Sequence, residues 1–358
     1  MAIKITKPEI NLRDKLSELD KPSGIAGESM LRAETPQDQF NLIGAGRRNI
    51  LLNGDLQVSQ RGDYTTAGTA PNAYVLDRWL VDRNGTATVQ HTTGHDLPGS
   101  HTICKAIKLV QTVTGTNYLG VRQKIENPSI YAGKTLTYSA WIRSNTPNAR
   151  IECYIPGTSP DIYIGPNHSG NGEWEYLSFT FSLNPGTPTS FLADVFIDNG
   201  SYSNIGIYAG QYIEATMMQL EVGNVATPFE HRSYGEELVL CQRYYERIDY
   251  TTSKDTGGGT AAETLLTNGL QYQSNRSLSY LPFLIIKRTQ PTVTISSASH
   301  LQILDSTNGW IAASAFSARA TTRGTRLDGT HVTNNLTAGR ACEVRLVSPG
   351  YIEINAEL

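Results

Sequence analysis

The sequence is poor in charge. Only 18% of its 358 residues are Asp, Glu, Lys or Arg, against roughly 25% in ordinary soluble domains. Its 33 acids and 30 bases leave a formal charge of −3. No basic stripe is available to displace counterions from phosphates, which excludes nucleic acid as an expected partner. Cysteine is scarce as well. Cys104, Cys153, Cys241 and Cys342 form no C-x-x-C pair, so zinc ribbons and redox pairs are excluded, and the density is too low for a disulfide scaffold. They read as reduced, mostly buried thiols. Long apolar runs are missing too. The longest, Tyr280-Leu-Pro-Phe-Leu-Ile-Ile286, is too short to cross a bilayer. The opening Met1-Ala-Ile-Lys-Ile5 lacks the uncharged core of a signal peptide, so a cytosol-like site of synthesis without membrane insertion is expected.

What replaces charge is Thr, Ser, Asn, 32 Gly and 18 Tyr, the residues of short strands and tight turns. The expected class is all-β. At roughly 150 residues per domain the length allows two or three domains, and the pattern divides the chain into four parts.

Residues 1–48 form an arm with too little apolar content to fold alone. Ile3 and Ile5 alternate as a short strand, and Thr6-Lys7-Pro8-Glu9 fits a capping box for a helix carrying the stripe Leu12, Leu16 and Leu19. So short a stripe must dock on something. These five apolar residues are the expected anchor, and three such stripes can bury one another around an axis. From residue 49 to 232 the period is two. Leu136, Tyr138, Ala140 and Ile142 oppose Thr137, Ser139 and Trp141, and Leu177, Phe179 and Phe181 oppose Trp174, Tyr176, Ser178 and Thr180. Such strands separated by Pro, Gly and Asn turns predict a jelly-roll-like β-sandwich. Residues 233–248 read as a linker helix, with Ser233 and Glu236 as a capping box and Arg243 and Arg247 at its negative end. Residues 249–358 read as a second, smaller sandwich, ending in the alternation Ile352, Ile354, Ala356, Leu358.

Catalytic patterns are absent. No G-x-S-x-G occurs, and Gly257-Gly-Gly259 lacks the Lys-Ser/Thr and the helix of a phosphate loop. His91, His95, His101 and Cys104 share a stretch that is no helix face, so the histidines read as solvated loop residues, and no metal or cofactor is expected. Glycan hydrolysis needs two carboxylates roughly 5 to 9 Å apart. Asp194 and Asp198 share a strand face but stand about 13 Å apart, and Glu173 and Glu175 lie near a strand edge, leaving only pairing across strands. A non-enzymatic protein is expected.

The stronger constellation is aromatic. Trp141, Trp174 and Tyr176 fall opposite the core residues of their strands, as does Tyr154 opposite Ile151, Cys153 and Ile155. Flat rings beside polar groups such as Arg143 and Glu152 suit sugar rings. The same pattern fits a subunit interface or rings covered by the chain itself. Trp79 reads as core, Arg78 as a partner of Asp77 or of nearby loops, and Phe229 to Arg232 as a clamp between the two sandwiches.

Arg48-Asn-Ile-Leu-Leu-Asn-Gly-Asp-Leu-Gln-Val-Ser-Gln-Arg-Gly62 with Leu76-Asp-Arg-Trp79, Gln219-Leu-Glu-Val-Gly-Asn-Val-Ala-Thr-Pro-Phe-Glu-His-Arg232 running into Glu236-Glu-Leu-Val-Leu-Cys-Gln-Arg-Tyr-Tyr-Glu246, and the closing Asn355-Ala-Glu-Leu358 together resemble tail-fibre and related virion proteins of tailed bacteriophages. Leu281 to Thr292 keeps the same likeness, with Lys287 where Met is commoner. The resemblance implies a carbohydrate-binding-module-like jelly roll, and a homotrimer mounted on the virion through other tail or head proteins after assembly in the host cytoplasm. It further implies a short tail fibre or tip displaying its sandwiches to host cell-surface polysaccharide. A head fibre or decoration protein without a receptor role, and a glycan depolymerase, are the alternatives.

Overall fold

The computed structural model describes residues 48–62, 67–68, 72–83, 86–93, 97–98, 104–114, 118–186, 188–198, 207–250, 263–332 and 336–358. The chain divides into two units, Met1–Asn49 and Ile50–Leu358. The anchor residues Ile3, Ile5, Leu12, Leu16 and Leu19 lie outside the described residues, as do His95, His101 and Gly257-Gly-Gly259.

Alternating sequence produces strands throughout the second unit. In chain order they are β1 (Ala67–Gly68), β2 (Ala73–Leu76), β3 (Trp79–Arg83), β4 (Ala87–Thr93), β5 (Lys105–Gln111), β6 (Tyr118–Lys124), β7 (Thr135–Ser144), β8 (Ala149–Ile155), β9 (Asp161–Asn167), β10 (Trp174–Ser182), β11 (Leu192–Asp198) and β12 (Tyr212–Val222). They form two six-stranded sheets, β1-β4-β5-β12-β7-β10 and β2-β3-β6-β11-β8-β9. Within them, β5 to β12 run as β5-β12-β7-β10 over β6-β11-β8-β9, the interlocked Greek keys of an eight-stranded jelly roll. The expected inward residues are the core. Leu136, Tyr138, Ala140 and Ile142 of β7 meet Ile151 and Cys153 of β8 and Val195 and Ile197 of β11. In β12 a bulge at Met217, whose φ is 50°, places Thr216 and Gln219 on the same outer face.

Helix α1 (Tyr234–Gln242) follows, with the Ser233 side chain accepting from the Glu236 amide at 3.3 Å. It is shorter than the expected 233–248. Tyr245 and Arg247 belong to β13 (Tyr245–Asp249), because pairing with β21 (Tyr351–Asn355) satisfies their backbone along a ladder rather than a helix. The remaining strands are β14 (Glu263–Gln273), β15 (Arg276–Pro282), β16 (Thr292–Ile295), β17 (Leu301–Asp305), β18 (Gly309–Ala320), β19 (Gly324–His331) and β20 (Ala341–Val347). The all-β class holds here in a more specific form than an open pair of sheets. β14-β15-β19-β18-β17-β20 close into a barrel, and β13-β21-β16 form a separate three-stranded sheet. Ile352 and Ile354 of β21 are fully buried against Leu281, Leu327 and Leu346.

The stretches that carry the family resemblance meet at one seam. Trp79 is fully buried and donates its indole N–H to Asn53 O at 2.8 Å. The Asn53 amide donates to Glu237 Oε1 at 2.5 Å, and Arg232 donates to Glu237 Oε2 and to Leu51 O. Arg78 lies within the seam, bonded to Glu357 and to Lys124 O at 2.5 Å, with its guanidinium 3.8 Å from the Tyr244 ring centroid. Its partner is thus Glu357 rather than Asp77, whose carboxylate accepts from the Gln60 amide at 2.7 Å. Lys287, where the likeness departs, is buried and donates to Gln242 O at 2.6 Å and Glu246 Oε2 at 2.5 Å, tying the barrel to the end of α1. All four cysteines are buried and unpaired. Among the described residues no helix is long and apolar enough to cross a membrane.

Candidate functional site

The outer face of the β5-β12-β7-β10 sheet has two halves. Across one half the chain folds back on itself. Thr227 donates its amide and hydroxyl to the Glu221 carboxylate at 2.9 and 2.7 Å, Gln219 donates to Thr227 O, and the Glu230 amide donates to Gln219 Oε1 at 2.8 Å. Thr137 and Thr180 hold Gly223 O and Asn224 O. The long family-like stretch from Gln219 is therefore a clasp over Thr137, Gln219 and Glu221, which are buried.

The other half carries the rings. Register fixes the grouping: Trp174 pairs with Arg143, and Arg143 with Glu214, while Tyr176 pairs with Trp141, and Trp141 with Thr216. Trp141 and Tyr176 stand 5.5 Å apart between ring centroids, tilted by 54°. The Arg143 guanidinium lies 5.1 Å from the Trp174 centroid and donates to Glu214 Oε2 at 2.6 Å. Lys108 of β5 completes the row, 2.8 Å from Glu214 Oε1 and 4.2 Å from the Tyr212 ring centroid. Tyr176 is 43% exposed. Trp141, Trp174, Arg143, Lys108 and Tyr212 are partly exposed. Four neighbouring strands make the platform about 15 Å wide.

Of the six expected ligand residues, Trp141, Trp174, Tyr176 and Arg143 come together here. Tyr154 and Glu152 do not. They lie on β8 in the opposite sheet, because alternation tells which way a side chain points but not which sheet its strand joins. Glu152 is buried and bonded to Arg150 at 3.0 and 2.9 Å. This corrects its expected role at a sugar-binding surface. Tyr154 sits 5.7 Å from the Arg122 guanidinium. Lys108, Tyr212 and Glu214 were missed by sequence reasoning. The alternation Tyr212-Ile-Glu-Ala-Thr216 marks its outward residues, but only register shows that they flank Arg143.

The outer face of the second sheet is a buried ionic network. Arg122 binds Asp82 and both oxygens of Asp194, and Arg150 binds Glu152 and Asp198. Four carboxylates thus face two guanidiniums, and Asp194 pairs across strands with Glu152. Burial, reinforced by the Asp194 charge against the pull of Arg150, pushes Glu152 up to about 7. Burial likewise raises Asp194. Asp194 and Asp198 share one face, as expected, but both are buried. His91 corrects another expectation. It is buried in β4, with Nε2 2.9 Å from Leu56 O, rather than solvated.

A cleft of about 290 Å³ opens at the seam, lined by Arg78, Lys124, Glu126, Tyr131, Arg243 and Tyr244 among others. Arg243 and Tyr244 both bond Glu126, while Arg78 and Lys124 are bonded to Glu357 and to Leu358 O.

No protein-family model and no curated protein sequence matches the chain. Among solved structures it is similar to the enzymatically active domain of bacteriophage CBA120 tailspike protein 4, at 15% identity and TM-score 0.34, over 49% of this chain and 21% of that one. It is also similar to the module TmCBM61 in complex with β-1,4-galactotriose, at 13% identity and TM-score 0.32, over 49% of this chain and 99% of that one. The tandem CBM22-1-CBM22-2 domain of Paenibacillus barcinonensis Xyn10C gives 9% identity and TM-score 0.33, over 87% of this chain and 98% of that one. Scores this low leave the jelly roll resting on its strand order and the site on its own geometry.

Proposed function

We propose that the chain is a non-enzymatic structural protein of a tailed-phage virion, whose jelly roll binds host-surface polysaccharide on the aromatic half of the β5-β12-β7-β10 sheet. One observation carries this reading. Trp141, Trp174 and Tyr176 stand beside the Arg143–Glu214–Lys108 ion row on a partly exposed face whose other half the chain has already clasped. The rings offer apolar surface to the C–H face of a sugar, while Arg143 and Lys108, both held in place by Glu214, offer directed bonds to hydroxyls. Mounting on strands fixes these side chains before the ligand arrives, which limits the ordering cost of binding.

A non-catalytic role is supported by the fate of the carboxylates. Those that stand together on the second sheet are buried and held by Arg122 or Arg150, and the clasp occupies Glu221. The sequence resemblance supports attachment through residues 1–48 and assembly as a homotrimer with other virion proteins. A glycan array probed with the purified protein tests the binding role, with retention of particular polysaccharides expected and none contradicting it. Deleting residues 1–30 is expected to leave soluble β-rich protein that no longer joins particles. Normal incorporation would overturn the anchoring role.

A further inference from the structure

Three side chains with different donor atoms converge at the edge of the sandwich, from segments far apart in sequence. The Asp55 carboxylate, the Cys104 thiol and a ring nitrogen of His231 place their ligand atoms within 4.8 Å of one another. Asp55 and Cys104 are buried, and His231 is exposed, so the imidazole closes the group from the solvent side.

Each side chain is held by bonds of its own segment. Asp55 sits in a turn between Asn53 and Leu56, whose φ angles of 56° and 60° are left-handed, a costly conformation for a buried leucine. The Asp55 carbonyl accepts from the Lys105 amide at 3.0 Å, which brings the turn beside Cys104. Gln57 Nε2 donates to Asp55 Oδ2 at 2.5 Å and fixes the plane of the carboxylate. Lys105 O in turn accepts from Thr216 at 2.7 Å, so the start of β5 is pinned to β12. His231 lies between two anchored neighbours, with the Glu230 amide on Gln219 and Arg232 on Glu237 and Leu51 O.

We propose that Asp55, Cys104 and His231 bind a zinc-class divalent cation. A thiolate, an imidazole and a carboxylate are the donor set of zinc, whereas calcium and magnesium take oxygen ligands. Zinc bond lengths of about 2.0 to 2.3 Å put tetrahedral ligand atoms roughly 3.5 Å apart. The ligand atoms, now within 4.8 Å of one another, draw closer on binding to reach that spacing. Three protein ligands leave a fourth position for water. Bound there, the ion cross-links the turn at Asp55, the start of β5 and the segment leading into α1, which is a structural role independent of the sugar platform. Within the described part of the stretch from His91 to Cys104, Cys104 faces the site and His91 is engaged with Leu56 O.

The test is titration of the full-length, metal-stripped protein with Zn²⁺ alone by calorimetry, and with Co²⁺ by absorption spectroscopy. Saturable one-to-one binding is expected, with thiolate-to-cobalt charge-transfer absorption and a raised melting temperature. His231→Ala, at an exposed position, should weaken the affinity by at least about 10- to 100-fold, the loss that even supporting residues of metal sites cause. Cys104→Ser should abolish the charge-transfer band. Absence of saturable binding to the wild type, or binding that both variants leave unchanged, overturns the proposal.

Discussion

Glu357→Gln puts the seam under the most direct strain. The Glu357 and Arg78 side chains are only 4% and 2% exposed and are bonded to each other, with Arg61 3.4 Å from the same carboxylate. Removing the negative charge at nearly constant volume leaves a buried guanidinium without its counter-charge. Breaking one partner of a buried pair costs about 3–5 kcal/mol. The lower end applies, because Arg78 keeps Lys124 O and the Tyr244 ring and the new amide oxygen still accepts. In larger domains each kcal/mol moves the melting temperature by roughly 2 °C, so about 6 °C should be lost. Thermal melts by circular dichroism measure this. Amide exchange should quicken in β13 and β21 before it does in the jelly roll. A melting temperature within about 1 °C of wild type would refute the inference that this pair holds the seam. Replacing both residues by apolar ones of similar volume should recover most of the loss, since an uncharged seam needs no compensation.

Other consequences follow from the same geometry. Lys287→Met, the commoner residue in the resembling proteins, strands Glu246 and Gln242 O in a buried place and should cost about 3–5 kcal/mol in chemical denaturation, with Glu246→Leu in the same chain restoring most of it. Gly120→Ala would put a methyl group 1.7 Å from Phe196 Cδ1 and 2.2 Å from Val195 O, so the ring and the β11 backbone must both shift, at a cost of about 3 kcal/mol or more. The acid excess on the second sheet sets a pH dependence. Glu152 is raised to about 7 in the folded chain from an ordinary value of 4.5, so folding favours its protonated form. Its contribution is fully present below about pH 4.5 and fades as pH rises through 7. Asp77, raised by burial to about 6, acts in the same direction. Denaturation midpoints should therefore fall between pH 5 and 7.5, and Glu152→Gln should flatten that fall. A slope unchanged in the variant would contradict it.

The faces of single strands were legible from alternation. Leu136 to Ile142 and Leu177 to Phe181 turn inward as their period demands, and the rings opposite them turn outward. Strand partners were not legible. Parity put Tyr154 and Trp141 alike on outward faces, and only the crossing order of the Greek keys sends β8 to one sheet and β7 to the other. Buried charge was equally hidden. Arg150 and Glu152 look like surface residues until β11 brings Asp194 and Asp198 alongside. The end of α1 shows a contest that local sequence cannot decide, since Leu238, Cys241 and Tyr245 fall on one helical face, with Leu240 and Tyr244 beside it, yet β21 captures Tyr245. Barrel closure escapes detection for a related reason: strands of open sheets and closed barrels alternate in the same way.

The sugar platform is tested most directly by measuring polysaccharide binding and thermal stability on the same Trp141→Ala and Trp174→Ala proteins. Each ring supplies contact that neighbouring hydroxyl bonds cannot replace, so each loss should cost about 2 kcal/mol of binding or more, roughly a 30-fold rise in Kd. The rings lie outside the core, so the melting temperature should move by no more than about 2 °C. Binding retained in both variants, or a large loss of stability in either, would contradict the account by placing these rings in a packed seam rather than on a receptor-binding face.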